Sequence, residues 1–248
     1  MIIMMFICGI VLGSFYNVVG LRVPRSGSIV FPNSHCPVCY QNLLYRDNIP
    51  MLSYILLKGK CRYCGNQISI TYPIIEALTG MLFVFAYYKM VDFNIVSSLA
   101  FISFIILITI TDIHYYLIPN KILIFFMVIF IAIRLNTPLE TWYDSFLGFF
   151  VSYLLIYLLI LISKGGIGAG DMKLLAVLGF FTGLKVALLG FVLAIMCGGL
   201  YGVYLLVIKR NKKNDALPFG PFIGFGVLIS YFYHDAIISF YITELVRL

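Results

Sequence analysis

The sequence predicts an all-α polytopic membrane protein of about eight transmembrane helices with one small cytoplasmic loop domain. Three observations predict it. Of the 248 residues, 62% are hydrophobic and 11% charged, with a mean hydropathy of +1.04, far more apolar than a soluble domain of ordinary composition. A spanning helix needs roughly 20 apolar residues, and the chain offers eight stretches near that length, at 2–20, 72–91, 95–111, 118–135, 144–163, 172–186, 187–208 and 219–242, the sixth being the shortest. The lysines and arginines fall mostly in the connections between them, where they orient a membrane protein.

The first stretch, within Met1–Gly20, has no basic residue ahead of its apolar core and no small-residue cleavage site, so it reads as a retained helix rather than a secretory signal. The net charge of +7 implies no nucleic-acid surface, because the basic residues are spread over short loops. The long loop at 21–71 carries Arg22, Arg25, Arg46, Lys58, Lys60 and Arg62 against a single acid, Asp47, and is expected in the cytoplasm with the N-terminus outside. Counting eight crossings forward places 13 of the 17 Lys and Arg inside, including the run Lys209-Arg210-Asn211-Lys212-Lys213. Lys89, Arg134, Lys185 and Arg247 fall outside. Dropping the sixth stretch would put the basic run on the wrong side.

The loop holds two CxxC knuckles, Cys36-Pro37-Val38-Cys39 and Cys61-Arg62-Tyr63-Cys64, with 21 residues between them. Four thiolates so arranged suit a tetrahedral, closed, structural Zn2+ site. A pair of disulfides is the alternative, disfavoured in a reducing compartment. A loop of this size also needs a staple, since it is too small to hold itself with a core alone. His35 is a spare ligand or a solvated neighbour; Cys8 and Cys197, in apolar stretches, read as packing residues. The expected organisation is a first helix at 1–20, a cytoplasmic zinc-binding loop domain with four cysteine ligands at 21–71 and a membrane-embedded core at 72–248.

Ionisable side chains at the edge of apolar spans are unfavourable enough to be functional candidates. Asp112 ends the third stretch. Asp171 follows the glycine-rich bend Gly165-Gly166-Ile167-Gly168-Ala169-Gly170, and both acids fall at the same cytoplasmic boundary by the charge count. Gly168 and Gly170 would let a substrate backbone lie beside Asp171. Two carboxylates brought together cannot both ionise easily, so they can share a proton, one acting as base on a water while the other donates to a carbonyl oxygen. The plainer alternatives are that Asp171 is a helix N-cap and Asp112 an interface marker. Glu76, one turn into the second stretch, is either functional or an interfacial acid; His114 reads as interfacial; Lys173 either tunes Asp171 or snorkels. Asp92, Glu140 and Asp144 read as solvated turns.

At these residues the chain resembles the type IV prepilin peptidase family of membrane aspartic proteases. The resemblance rests on Gly13-Ser14-Phe15-Tyr16-Asn17 with Arg22 and Pro24, the paired CxxC motifs, and Asp47-Asn48-Ile49-Pro50. It continues through Tyr72-Pro73 with Glu76, Asp112 seven residues before Pro119, Gly168-Ala169-Gly170-Asp171-Met172-Lys173, and Pro218-Phe219-Gly220-Pro221-Phe222. It implies a multi-pass protein of the bacterial cytoplasmic membrane. It also implies cleavage of a prepilin or pseudopilin leader after a glycine at the cytoplasmic face, with Asp112 and Asp171 as the catalytic pair. Members with the cysteine loop are often bifunctional and methylate the new N-terminus with S-adenosylmethionine, for which Glu76 is the candidate here. Gly27 and Thr71, where members often carry Glu and a basic residue, put that second activity in doubt; Asn120 stands where an acid is frequent. Rival classes are a transporter, which predicts acids near the bilayer midplane, and a non-enzymatic secretion-assembly protein, which would need neither aspartate. Presenilin-like proteases share the GxGD loop but not the cysteine loop.

Overall fold

The computed structural model describes residues 1–89, 95–139, 141–163, 166–207 and 217–245. Asp92, Glu140, Lys164, Gly165, the basic run at 209–213 and Arg247 lie outside the described residues. Among those described there are nine α-helices and no strand: α1 (Ile2–Arg22), α2 (Leu52–Leu56), α3 (Thr71–Lys89), α4 (Ile95–Tyr115), α5 (Asn120–Asn136), α6 (Trp142–Ile162), α7 (Ala169–Thr182), α8 (Leu184–Val207) and α9 (Gly220–Leu245). An all-helical chain is what lipid demands, because only internal hydrogen bonding can satisfy a backbone that crosses it.

Each apolar stretch forms a helix, but fewer than the expected eight have the length and apolarity that a crossing needs. Among the described residues α1, α4, α6, α8 and α9 are long and apolar enough to cross a membrane. The reason is length and dilution. At 14 residues α7 is about 21 Å long and α5, at 17 residues, about 26 Å, against a hydrocarbon core of about 30 Å. Helix α3 has 19 residues but carries Tyr72, Glu76 and Lys89.

The chain divides into two compact units, Met1–Ile110 and Thr111–Leu248. In the first, α1 packs on α3 through small residues. A Cβ on Gly9 would stand 2.6 Å from the Gly80 Cα, and one on Gly13 would stand 2.9 Å from the Glu76 Cα, so the two backbones approach to a distance only glycine allows. Tyr16 donates to the Ser103 hydroxyl of α4 at 2.6 Å, which satisfies a buried phenol.

In the second unit α7 lies inside, with every residue from Leu174 to Thr182 buried, which explains how so short a helix can sit among longer ones. Gly148 of α6 and Gly179 of α7 touch backbone to backbone, and Gly190 of α8 meets the Val227 backbone of α9 in the same way. Arg134 of α5 donates through Nε and Nη2 to the Phe181 carbonyl in the last turn of α7, with its guanidinium over the Phe181 ring at 4.7 Å. A cation there satisfies an orphan carbonyl and suits the helix C-terminus. Gly183, at φ 82, then breaks α7 from α8, and Asp144 accepts from the Leu184 N–H at 3.3 Å.

Candidate functional site

The first unit holds the thiol cluster. Each CxxC knuckle closes a turn: the Tyr40 N–H donates to the Cys36 carbonyl and the Gly65 N–H to the Cys61 carbonyl, at 2.9 and 3.0 Å. The residue after the second cysteine of each takes a positive φ, 57 at Tyr40 and 71 at Gly65, and a single β-bridge closes each base, His35 to Asn42 and Lys60 to Gln67. The two knuckles are therefore one motif used twice. The four Sγ atoms lie within 4.8 Å of one another, with Cys36 to Cys64 at 3.8 Å and Cys39 to Cys61 at 4.0 Å. Those separations are too long for disulfides. They match the edge of about 3.8 Å that follows from four metal–sulfur bonds of ~2.3 Å in a tetrahedron. Backbone N–H groups of Cys39 and Val38 hold the Cys36 thiol down at about 6, while burial and the three neighbouring thiols push Cys64 up to about 11, because four thiols in so small a space cannot all ionise unaided. The cluster can hold a metal ion. His35 is not part of it; its Nδ1 pairs with the Asn33 carbonyl at 2.9 Å.

Asp47, legible in the sequence as the one acid of the loop and the first residue of Asp47-Asn48-Ile49-Pro50, ties the knuckles to the turn before α2. Arg62 bonds it through Nε and Nη2, the latter at 2.7 Å, and this holds the carboxyl below the usual carboxylate range. Beside it lies a cavity of about 470 Å³ whose walls include Ser14, Asn17, Cys36, Asp47, Tyr54 and Glu76. Glu76 is buried on α3 and accepts the Met51 N–H at 2.7 Å, pinning a residue at φ 59.

The second unit holds the two aspartates. Helix α4 runs past the expected end of its stretch to Tyr115, so Asp112 sits within its last turn, 5% exposed. Its Oδ2 accepts the Gly220 N–H, the first of α9, at 2.8 Å. Asp171 is not an N-cap. Gly168 takes that position, Asp171 stands two residues inside α7, and its own N–H returns to the Gly168 carbonyl at 3.1 Å. Burial first, and then the charge on Asp112, push the Asp171 carboxyl up to about 7, against a backbone bond from Gly168. The two acids therefore lie within electrostatic reach of each other.

Around them Gly170 lets the start of α7 approach Ile118; a Cβ there would stand 3.2 Å from the Ile118 Cβ. Gly168 is exposed at the turn. Lys173 is exposed and its Nζ donates to Asn120 Oδ1 at 3.0 Å, so it clasps α7 to the start of α5. His114 is exposed on α4. The contact missed in the sequence is Gly220. Its signal was the helix-opening Pro218-Phe219-Gly220-Pro221, which announces a backbone break but not what the freed N–H meets.

A helical membrane protein that holds two buried carboxylates at helix ends within electrostatic reach, and carries a four-thiol loop besides, defines a narrow class. Residues 7–90 match the family model described as the bacterial peptidase A24 N-terminal domain, and residues 99–203 that of the type IV leader peptidase family. Curated proteins named prepilin leader peptidase/N-methyltransferase are similar along most of the chain. One from Bacillus subtilis is 42% identical over 98% of both chains. One from Myxococcus xanthus is 34% identical over 88% of this chain and 68% of its own, and one from Klebsiella pneumoniae 33% identical over 72% and 84%. No solved structure matches. The chain belongs to the type IV leader peptidase family.

Proposed function

We infer that this protein is a prepilin leader peptidase/N-methyltransferase of the bacterial cytoplasmic membrane. The observation that carries the reading is that Asp112 and Asp171 are both buried and near enough for the charge on Asp112 to act on Asp171. Such a pair activates a water and protonates the scissile carbonyl, the work of an aspartic peptidase. The substrates are prepilins or pseudopilins, whose own apolar helix enters from lipid and whose basic leader stays on the cytoplasmic side by the charge rule that orients the enzyme. Cleavage follows a glycine. Gly168 and Gly170 leave room for the substrate backbone, and Lys173 holds the start of α7 through Asn120.

The loop at 21–71 faces the cytoplasm on the strength of its basic residues, with the N-terminus outside. Its four cysteines hold a structural Zn2+, which suits soft thiolates at tetrahedral spacing. The second activity transfers a methyl group from S-adenosylmethionine to the new N-terminus. The cavity beside the knuckles has a volume suited to a small-molecule ligand, and Glu76 on its wall supplies a carboxylate to face a cationic sulfonium or ammonium group.

The test is incubation of the purified protein with a prepilin in lipid, read by mass spectrometry of the mature N-terminus, together with the metal content of the same preparation. The expected result is one new N-terminus after the leader glycine, an added methyl mass only when S-adenosylmethionine is present, and one zinc per chain. No cleavage by folded protein across several prepilins would refute the reading.

A further inference from the structure

The cavity beside the knuckles keeps two unmatched charges on its wall, and they are of opposite sign. Its lining includes Arg22, His35, Asp47 and Glu76. Two of these are already answered: Asp47 by Arg62 at 2.7 Å, and His35 by the Asn33 carbonyl at 2.9 Å. Glu76 meets only uncharged donors, the Met51 N–H at 2.7 Å and the Ser14 side chain, and among the described residues no cation pairs with it. Arg22, the last residue of α1, donates to the Ser28 and Pro32 carbonyls at 3.1 and 2.8 Å, and both bonds leave from Nη1. Among the described residues nothing accepts from its Nε or Nη2, and no acid pairs with it.

Those two nitrogens form one edge of the guanidinium, whose parallel N–H groups match the two oxygens of a carboxylate. The loop carbonyls hold Arg22 by Nη1 and leave that edge spare. Glu76 packs against Gly13, and Arg22 stands nine residues on, about 14 Å further along α1, so the two charges are set apart along one cavity rather than against each other. A wall that fixes an anion and a cation at separate points is complementary to a ligand that carries both signs itself.

S-adenosylmethionine is such a ligand, with a sulfonium, an ammonium and one carboxylate, and the donor set on the wall fits it. Resting on the reading of this cavity as the methyl-donor site, we propose that Arg22 binds the carboxylate of the donor's amino-acid arm through Nε and Nη2, while Glu76 faces its cationic groups. A second hollow, of about 420 Å³, also has Arg22 on its wall but no acid, so it suits a simple anion such as a phosphate and has nothing to answer an ammonium.

Binding measured without a prepilin tests this, so no turnover enters. The purified full chain in detergent is titrated with S-adenosylmethionine and with its decarboxylated form, which keeps the adenosine, the sulfonium and the amine and lacks only the carboxylate. Wild type should bind the first at least about tenfold tighter, the strength of one hydrogen-bonded charge pair. Arg22→Gln should bring the two affinities together by weakening S-adenosylmethionine and leaving the decarboxylated form where it was. Arg22→Lys, a point charge without the fork, should restore part of the preference. Glu76→Gln should weaken both compounds alike, since both keep the cations. A wild type that binds the two equally overturns the proposal, and that comparison needs no variant to fold. An Arg22→Gln protein that loses both compounds to the same extent also overturns it, making the arginine a strut for the loop at 28–32. So does one that keeps the full preference, which would give the spare edge to an anion in the second hollow. A wild type that binds neither compound sinks the methyl-donor reading itself, a result distinct from binding without preference.

Discussion

Glu76 shows what one side chain discloses in sequence and what it conceals. An acid in an apolar stretch is visible at once. Its partner is not, because Met51 has no glycine or asparagine to advertise the positive φ at which its N–H turns towards the carboxylate. Asp112 and Gly220 repeat the lesson over 108 residues, a separation across which spacing says nothing. The role proposed for Glu76 has a clean test. Glu76→Gln keeps an acceptor for the Met51 N–H and removes only the charge, so leader cleavage should continue while methyl transfer falls at least about tenfold, the effect of losing one charged interaction with a cation. Parallel assays of cleavage and of methyl incorporation on the same preparation check it, and unchanged methylation would remove Glu76 from the site.

Helix boundaries were legible to within a few residues, and the errors have identifiable causes. The expected break between the sixth and seventh stretches, at 186, falls instead at Gly183, because a glycine at φ 82 ends α7 and apolar composition does not register a cap. The same helix begins at Ala169 rather than after Asp171, since Gly168 supplies the cap position that an aspartate ordinarily claims. The knuckles were fully legible because their chemistry is local. Helix pairing was not, although it depends on single residues. Gly179→Leu must push apart the α6 and α7 backbones at Gly148 and displace the Ser152 hydroxyl, 2.7 Å from the new Cβ. The expected loss is about 3 kcal/mol, the upper range for overpacking, seen as a lower melting temperature in detergent. Gly199→Leu, which meets nothing within 4 Å, should melt like wild type. Equal melting of the two variants would contradict the backbone contact.

At the scale of the molecule, composition announced a polytopic helical protein, and among the described residues five of its helices are long and apolar enough to cross a membrane, while the short α7 is as apolar as a helix that faces lipid because its neighbours bury it. The two compact units divide at Ile110 and Thr111, and the two family matches fall either side of residues 91–98. The thiol cluster, the cavity and Glu76 belong to the first unit, and both aspartates to the second. That division suits two chemistries in one chain and predicts that they can be lost separately. The measurement that bears most directly on the central claim is prepilin cleavage by Asp112→Asn and Asp171→Asn, each shown by melting to be folded. Both should lose cleavage by a factor of at least about a thousand, since neither half of a base-and-acid pair works alone, while still methylating a prepilin that has already been cleaved. Substantial turnover by either variant would contradict the account.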